Sequence, residues 1–557
     1  SQADVGLNLM TFPGDQGAGF FLLLVAPSVD VRSDGAIPRD VLLVLDTSGS
    51  MEGEKLAQAK DALAYVLQHL NEEDRFNVIA FSTGLTQYAR QLRPAADAAE
   101  AAAWVQSLEA IGGTNINRAL LEALADASAE RPTVLIFLTD GLPTEGVTDI
   151  DEILANVESA SADSVRLFAF GVGDDVNTVL LDSLAQQNRG TSGYVRPQER
   201  VDEEVSAFYA KIRTPVLTDL GLDVDNVLLE DVYPYPLPDL FAGSQLIVTG
   251  RYRPLSGYGR VSRITLAGNV SAERREFVYE GVFRAGDEFG DALTDPMSFI
   301  PRLWATRKIG HLLTQIRLHG ENKEWVDAVI ELSIRYGVVT PYTSFLVEDE
   351  DILTEAGRER AAHDYMATPA PAVSGAPAVE LAEEEAKMRE AGAAFAPASV
   401  GGELPGEKAT PVVQHVGPKA FVLQNGAWVD TAFDTGTGET ERIPFGSSAY
   451  FDLLASQPSW GKIMALGDRV IFVPDSGTDP TAYEIVPEAA DSASLVVAET
   501  PGVAQPTDQP VEPVEVTGTP PPGGSSAASS SRALCPGPMA LSGVTLAALV
   551  VWGARRR

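Results

Sequence analysis

Cysteine is nearly absent from this sequence, which has Cys535 as its single thiol among 557 residues. One cysteine excludes any disulfide within the chain, so the fold must be stabilised by the packing of hydrophobic cores. Hydrophobic residues make up 45% of the chain, which is ample for such cores. The chain exceeds the usual size of one domain, and we expect about two to four units.

Positive charge is also scarce, because 78 acidic residues outnumber 41 basic ones and give a formal net charge of -37. A surface this negative repels nucleic acid and anionic lipid head groups, so we expect no nucleic-acid partner. It suits divalent cations or basic partners, although a solvated acidic surface is the commoner explanation of such a composition.

Sequence signatures of catalysis are missing as well. The chain contains no GxSxG, no HExxH and no phosphate-binding GxxxxGK motif, and its five histidines are scattered. His311 and His319 fall on roughly one face of a predicted helix, where a hydrogen-bonded helix histidine is the simpler interpretation. We therefore expect that the chain is not an enzyme.

Residues 40–213 alternate between short apolar runs and amphipathic segments. The main predicted strands are Val41–Asp46, Phe76–Phe81, Thr133–Asp140 and Arg166–Gly173. The predicted helices are Lys55–Leu70, Ala98–Leu108, Asn115–Ala129, Ile150–Ser161, Val176–Gln187 and Val201–Ile212. Continuous apolar strands separated by such helices indicate the α/β class, with a doubly wound, mostly parallel sheet covered on both faces.

Three segments of this region bring oxygen-bearing side chains to one end of the predicted sheet. Asp46, Ser48 and Ser50 follow one buried strand, and Asp140 ends another. Thr114 stands in a glycine-rich loop just before a predicted helix. In open α/β sheets, ligands bind at the carboxyl ends of the strands, so we expect these five side chains to converge.

All five candidate ligands are hard oxygen donors, with no cysteine or histidine among them. This set favours Mg²⁺, with Mn²⁺ or Ca²⁺ as alternatives, over zinc. Neutral hydroxyls leave net positive charge on the ion, and a coordination position stays open for an outside carboxylate. Each motif alone is weak, since Ser50 is also explained as a helix cap and TDG as a common turn. The three motifs in this order predict a metal site.

The segments DTSGSM, GGTN and LTDG together resemble the von Willebrand factor type A domain and its metal-ion-dependent adhesion site (MIDAS), over about residues 40–213. The resemblance implies that Ser48, Ser50 and Thr114 bind the cation directly and that Asp46 and Asp140 act partly through water. It also implies that an exposed Asp or Glu of a partner protein completes the site.

The flanking segments resemble the inter-α-trypsin inhibitor heavy chains and their bacterial relatives. This resemblance rests on GFFLLLVAP before the A domain and on the segments Tyr235–Tyr252, Ile300–Leu313 and Arg335–Val347 after it. The heavy chains normally carry a further domain upstream. The sequence also starts at a serine without a signal peptide, so we expect a trimmed or processed chain.

The remaining segments predict several units around the A domain. Residues 1–39 hold an apolar strand, Gly19–Val31, that we expect to pair with a β-sandwich-like unit at residues 214–290. The A domain, residues 40–213, would then be inserted between strands of that unit. Beyond it, the composition predicts a helical region at 291–366, a linker at 367–417 and a small β-rich unit at 418–487.

The C-terminal residues predict a stalk and a membrane anchor. Residues 488–535 are rich in Pro, Ser and Thr, which is typical of a disordered stalk. Residues 536–557 contain an apolar run followed by three arginines, which predicts a transmembrane segment with a cytoplasmic end. This tail resembles bacterial sorting signals without an LPxTG motif. Cys535 is either a processing or lipidation site or an ordinary thiol.

Two alternative functions follow from this organisation. The first is a cell-surface, adhesion-type protein, held to the membrane by its C-terminal segment, that binds a partner carboxylate through the MIDAS cation. The second is a structural or envelope-assembly protein in which the metal only stabilises the A domain.

Overall fold

The computed structural model describes residues 5–14, 18–27, 37–128, 130–255, 261–270, 273–284, 292–339, 352–367, 372–392, 413–436, 438–474 and 482–487. The described chain begins with β1 (Val5–Pro13) and β2 (Gly19–Pro27), which pair antiparallel along their whole length. β2 is an almost continuous apolar run and is buried nearly throughout, which indicates that both faces of its sheet are covered.

The predicted A domain follows these two strands. Its strands are β3 (Asp40–Asp46), β4 (Arg75–Phe81), β5 (Leu85–Gln87), β6 (Arg93–Pro94), β7 (Thr133–Thr139), β8 (Val165–Val172) and β9 (Ser192–Val195). Its helices are α1 (Glu54–Gln68), α2 (Ala98–Gln106), α3 (Ile116–Ala125), α4 (Ile150–Ala160), α5 (Thr178–Gln187) and α6 (Val201–Ile212). These bounds differ from the predicted ones by a few residues at most of the ends.

The sheet of the A domain has the strand order β5-β4-β3-β7-β8-β9, with β6 also paired to β4. The pairs from β4 through β9 are parallel, and β5 and β6 join β4 antiparallel. Alternate residues of β3 enter different cores: Leu43 packs with residues of α1 and α6, and Val44 with residues of α3 and α5. Burial on both faces explains the continuous apolar runs and confirms the predicted fold class.

The chain then returns to β structure. Its strands are β10 (Pro215–Val224), β11 (Val227–Tyr233), β12 (Leu240–Phe241), β13 (Leu246–Pro254), β14 (Val261–Val270) and β15 (Glu273–Val282). Together with the first two strands they make two sheets, with the orders β1-β2-β13-β11 and β12-β10-β14-β15. β2 pairs antiparallel with β13, and Phe21 and Leu23 share a core with Leu217 and Ile264 of the other sheet. The A domain is therefore inserted in a β-sandwich.

Arg39 closes the point where the chain enters and leaves the A domain. Its fully buried guanidinium donates to the carbonyl oxygen of Ile212 at 2.8 Å and to the hydroxyl of Tyr209 at 2.9 Å. Asp74 pairs with the same guanidinium at 3.4 Å. The start of β3 and the end of α6 are thus held side by side, which allows the insertion without separating the strands of the sandwich.

Helices follow the sandwich, and the first of them packs on the outer face of the sheet β1-β2-β13-β11. They are α7 (Ile300–His319), α8 (Lys323–Tyr336), α9 (Glu355–Ala367) and α10 (Ala376–Arg389). Trp304 of α7 packs against Phe20 of β2, with ring centroids 5.2 Å apart, and its indole donates to the carbonyl of Asp231 at 3.0 Å.

The stretch 367–417, predicted as a linker, contains the docked helix α10. Small residues let this helix approach α7 closely, since a Cβ added to Gly310 would lie 2.8 Å from the backbone nitrogen of Arg389. Ala378, Ala382 and Glu385 are buried. An Ala- and Glu-rich composition also suits a helix, and here that preference is combined with a partner surface.

A small α/β unit ends the described chain. Its elements are β16 (Val413–Val416), β17 (Lys419–Gln424), β18 (Ala427–Asp430), β19 (Thr440–Pro444), α11 (Ser448–Ser456), α12 (Gly461–Met464), β20 (Val470–Phe472) and β21 (Ala482–Val486). The strands form one sheet in the order β16-β17-β18-β20-β21-β19. The sheet begins at Val413, inside the predicted linker.

The predicted localisation, at a cell surface through a C-terminal transmembrane segment, is corrected. No helix in the part of the chain that the structure describes is both long and apolar enough to cross a bilayer. At 20 residues, α7 would span about 30 Å, but Arg302, Arg307 and Lys308 interrupt it. Residues 488–557, on which the predicted stalk and anchor rested, lie outside the described residues.

Candidate metal centre

The predicted ligands lie at the carboxyl ends of the two central strands of the A domain. Asp46 is the last residue of β3, and Asp140 directly follows β7, the parallel neighbour of β3. Parallel neighbours end at the same edge of a sheet, which is where open α/β sheets bind ligands. Thr114 comes from the loop between α2 and α3, which reaches this edge.

Backbone hydrogen bonds hold the loop of Thr114 against the loop after β3. The amide of Ile111 donates to the carbonyl of Thr47 at 2.8 Å, and the amide of Gly49 donates to the carbonyl of Gly112 at 3.0 Å. Gly112 has a φ of 86°, a left-handed conformation that favours glycine. The glycine before Gly113–Thr114 is therefore required by the turn that brings Thr114 to the site.

The polar side chains of the site form a continuous series of contacts. The hydroxyl oxygens of Ser48 and Ser50 are 3.0 Å apart, and Ser50 donates to Oδ1 of Asp140 at 2.7 Å. The amide of Ser48 donates to Oδ1 of Asp46 at 2.8 Å. The Thr114 and Ser50 hydroxyl oxygens lie 3.8 and 3.9 Å from the point where a Cβ on Gly141 would stand. The structure thus brings the five predicted side chains together.

Asp46 is fully buried, and the withdrawal of its carboxylate from water raises its pKa to about 6. Hydrogen bonds from Thr139 and Ser48 lower the pKa part of the way back. The Thr139 hydroxyl donates to Oδ2 of Asp46 at 2.6 Å. The sequence interpretation missed Thr139, although its place at the end of a buried strand, directly before Asp140, was a usable signal.

A basic side chain, Lys55, also reaches the site and was missed. Its Nζ lies 2.8 Å from Oδ2 of Asp140, whose side chain is fully buried, whereas the Lys55 side chain is 39% exposed. A lysine in the first turn of a helix opposes the helix dipole. That unfavourable position, shortly after DTSGSM, is the signal from which a role at the site is predictable.

This set of donors fits a hard divalent cation. Its side chains offer carboxylate and hydroxyl oxygens and no sulfur or nitrogen ligand, as Mg²⁺, Mn²⁺ and Ca²⁺ require. In the described ranges, no group of three or more His, Cys, Asp or Glu side chains is arranged to hold a metal. A cation here would therefore depend on the hydroxyls of Ser48, Ser50 and Thr114 as well as on the two aspartates.

Comparison with known families agrees with this geometry. The family model of the von Willebrand factor type A domain matches residues 40–204. The matched stretch contains β3 through β9 and all five predicted ligands. Residues 40–204 are therefore a von Willebrand factor type A (vWA) domain, as the motifs predicted.

Similarity to individual proteins extends beyond this domain. The chain is 31% identical over 347 residues to inter-alpha-trypsin inhibitor heavy chain H4 of Homo sapiens, covering 60% of this chain and 37% of that protein. It is 28% identical over 360 residues to heavy chain H2 of Mus musculus, covering 61% and 37%. The chain thus spans little more than a third of these relatives. The predicted resemblance to the heavy chains is confirmed.

Among solved structures, the chain is similar to a von Willebrand factor type A protein from Catenulispora acidiphila. The two share 16% sequence identity with a TM-score of 0.45, over 71% of this chain and 97% of that one.

Proposed function

We propose that this chain, which contains a vWA domain at residues 40–204, is a protein-binding protein that captures an exposed Asp or Glu of a partner through a divalent cation. Domains of this type commonly mediate metal-dependent protein interactions. We propose a binding role and no catalytic one, because the capture of a partner carboxylate by a cation is a reversible binding equilibrium.

The observation that carries the proposal is the low negative charge of the candidate metal centre. Three of its five donors are neutral hydroxyls, and the carboxylate of Asp140 already has Lys55 beside it at 2.8 Å. A divalent cation among these donors keeps much of its positive charge. An outside carboxylate is the natural ligand for such an ion, because it adds the negative charge that the protein withholds.

We propose Mg²⁺ as the resident cation, with Mn²⁺ or Ca²⁺ as substitutes. Ser48, Ser50 and Thr114 would hold it directly, and Asp46 and Asp140 would act partly through water. The set contains no soft ligands and is typical of the oxygen sites that bind Mg²⁺. The cation would act as a Lewis acid that attracts carboxylates, and the chain would orient the hydroxyls around it.

The alternative function is a structural or envelope-assembly protein whose metal only stabilises the A domain. The contacts of the two aspartates favour the binding role instead. Asp46 accepts hydrogen bonds from Ser48 and Thr139, and Asp140 accepts them from Ser50 and Lys55. Because both carboxylates have partners within the chain, we expect the domain to stay folded when the cation is removed.

Calorimetric titration of the full chain with Mg²⁺, with and without prior treatment with EDTA, tests the proposal. We expect Asp46→Asn to lose Mg²⁺ binding while its circular dichroism spectrum stays unchanged. Asp182→Asn, which alters a buried aspartate on α5, is the matched control and should keep Mg²⁺ binding. If EDTA or Asp46→Asn unfolded the domain, the alternative function would replace the proposed one.

A further inference from the structure

We infer that the metal centre recognises an acidic side chain flanked by aliphatic residues, presented on a neutral or basic segment of the partner. This inference rests on the proposed function and adds the chemistry of the partner to it. The surroundings of the site, rather than its ligands, carry the argument.

Two large apolar side chains stand exposed beside the metal centre. Ile111 is 71% exposed and Leu142 is 40% exposed. Across the described residues of the vWA domain, 40–128 and 130–204, no other large hydrophobic side chain is exposed to this degree. Single exposed apolar residues need no explanation, but here both members of the set lie at one edge of the sheet, which indicates a contact surface.

Both residues belong to the loops that carry the ligands. Ile111 lies three positions before Thr114, and its amide is fixed to the carbonyl of Thr47 at 2.8 Å. Leu142 lies two positions after Asp140 and follows Gly141, whose added Cβ would be 3.8 Å from the Thr114 hydroxyl oxygen. The apolar side chains are thus attached to the same loops as the ligands, within three residues of Thr114 or Asp140, and we expect a partner bound at the cation to contact them.

Exposed carboxylates surround these loops. Glu52 and Glu54 follow Ser50, Glu109 precedes Ile111 by two positions, and Glu145 lies in the loop after Leu142; these four acidic side chains are all exposed. Glu145 is also close to the loop of Thr114, because a Cβ on Gly113 would lie 3.2 Å from its Oε1. Their negative charge repels additional acids on a partner and attracts bases.

Recognition therefore has three separable components. The cation takes one carboxylate, Ile111 and Leu142 cover aliphatic side chains beside it, and the acidic surroundings reject acid-rich segments. An isolated Asp or Glu between aliphatic and basic residues satisfies all three, whereas an acidic run satisfies only the first.

Three fluorescent pentapeptides with blocked ends test this on the full chain in Mg²⁺ and in EDTA: Lys-Leu-Glu-Leu-Lys, Lys-Ser-Glu-Ser-Lys and Glu-Leu-Glu-Leu-Glu. Fluorescence anisotropy gives the Kd of each. We expect the leucine-flanked basic peptide to bind about tenfold more tightly than the serine-flanked one, since each methylene covered contributes about a factor of four. The acidic peptide should bind more weakly than the leucine-flanked basic one.

Variants then connect the preference to the two side chains. Ile111→Ser and Leu142→Ser should each reduce the preference for leucine over serine and leave the affinity for Mg²⁺ unchanged. Leu255→Ser and Leu228→Ser are matched controls in the sandwich, at side chains 67% and 43% exposed, and should leave the preference intact.

The outcomes separate this inference from the proposed function. Equal Mg²⁺-dependent binding of the leucine- and serine-flanked peptides would overturn the inference and leave the proposed function standing. An unchanged preference in both Ile111→Ser and Leu142→Ser would also overturn the inference. No Mg²⁺-dependent binding of any peptide would overturn both. Tighter binding of the acidic peptide than of the leucine-flanked basic peptide would refute the role of the surrounding carboxylates.

Discussion

The chain neutralises the buried carboxylates of the candidate metal centre and the buried Asp182 of α5 in different ways. At the candidate metal centre, Asp46 and Asp140 are buried among hydroxyls, and Asp140 pairs with the partly exposed Lys55. On α5, Asp182 is buried against Arg317 of α7, which also pairs with Glu385 of α10 at 2.9 Å. The first arrangement suits the binding of a metal ion. In the second arrangement, Arg317 already supplies the positive charge.

The second arrangement is a joint between parts of the fold that are distant in sequence. Tyr194 adds a hydrogen bond to Oδ1 of Asp182 at 2.6 Å, and burial raises the pKa of the Tyr194 hydroxyl. Burial also raises the pKa of Glu385, while Arg317 opposes that rise. A buried guanidinium that is paired with two carboxylates fixes the positions of the elements that carry them. It does not form a ligand site, because its donors are already engaged.

The comparison predicts that replacing Arg317 causes the largest loss of stability. Arg317→Met would leave Asp182 and Glu385 buried without their positively charged partner, which we expect to lower the free energy of unfolding by about 3–5 kcal/mol. Denaturant unfolding of the full chain measures this. The exposed Arg253→Met is the control and should change stability little. A loss of stability for Arg317→Met no larger than for the control would show that the joint is not structural.

At the candidate metal centre, replacing a charged side chain should increase the stability of the fold instead of lowering it. The pKa of Asp46 is raised from 3.8 to about 6, so its contribution to stability is present at low pH and is lost as the pH rises through about 6. In EDTA at pH 7.5, Asp46→Asn should therefore raise the free energy of unfolding by about 1–3 kcal/mol.

Unfolding curves of the two proteins at pH 4 and pH 7.5 check this sign. The gain should shrink toward pH 4, where the wild-type carboxyl is protonated in the fold. A variant that is less stable than the wild type at pH 7.5 in EDTA would contradict the assignment of Asp46 to a ligand site.

Orientation of Asp46 by Thr139 should matter less than the aspartate itself. Thr139→Val removes the hydroxyl that donates to Oδ2 of Asp46, and we expect the affinity for Mg²⁺ to fall about tenfold, as is usual for groups that orient a ligand. Calorimetric titration measures the affinity. Thr133→Val, at the opposite end of the same buried strand, should leave it unchanged, and an equal fall in both variants would show a general effect of strand packing.

The smallest effect is expected for Lys55. Lys55→Met removes a positive charge beside Asp140, so Mg²⁺ should bind up to about fivefold more tightly, within the range for a partly exposed ion pair. Lys60→Met, on the same helix, is the control. Weaker Mg²⁺ binding in Lys55→Met than in this control would mean that the lysine supports the cation rather than opposing it.

Much of the vWA domain was predictable because its central strands are buried on both faces and its five oxygen donors stand in short motifs. Lys55 and Thr139 were missed although each carries a local signal, because that signal does not indicate the partner: Asp140 and Asp46 lie 85 and 93 residues away. Composition alone also misplaced α10 in a linker. What makes it a docked helix is the contact of Glu385 with Arg317, which lies 68 residues earlier.

The central claim is that a divalent cation at this centre keeps a coordination position for an outside carboxylate. Water-proton relaxation of Mn²⁺ bound to the full chain tests it most directly, because bound Mn²⁺ relaxes the water that exchanges at its open positions. Added acetate should lower the relaxation enhancement in a saturable way, and Asp46→Asn should show no bound Mn²⁺. An enhancement that does not change with acetate, or no binding of Mn²⁺ by the wild-type chain, would contradict the claim.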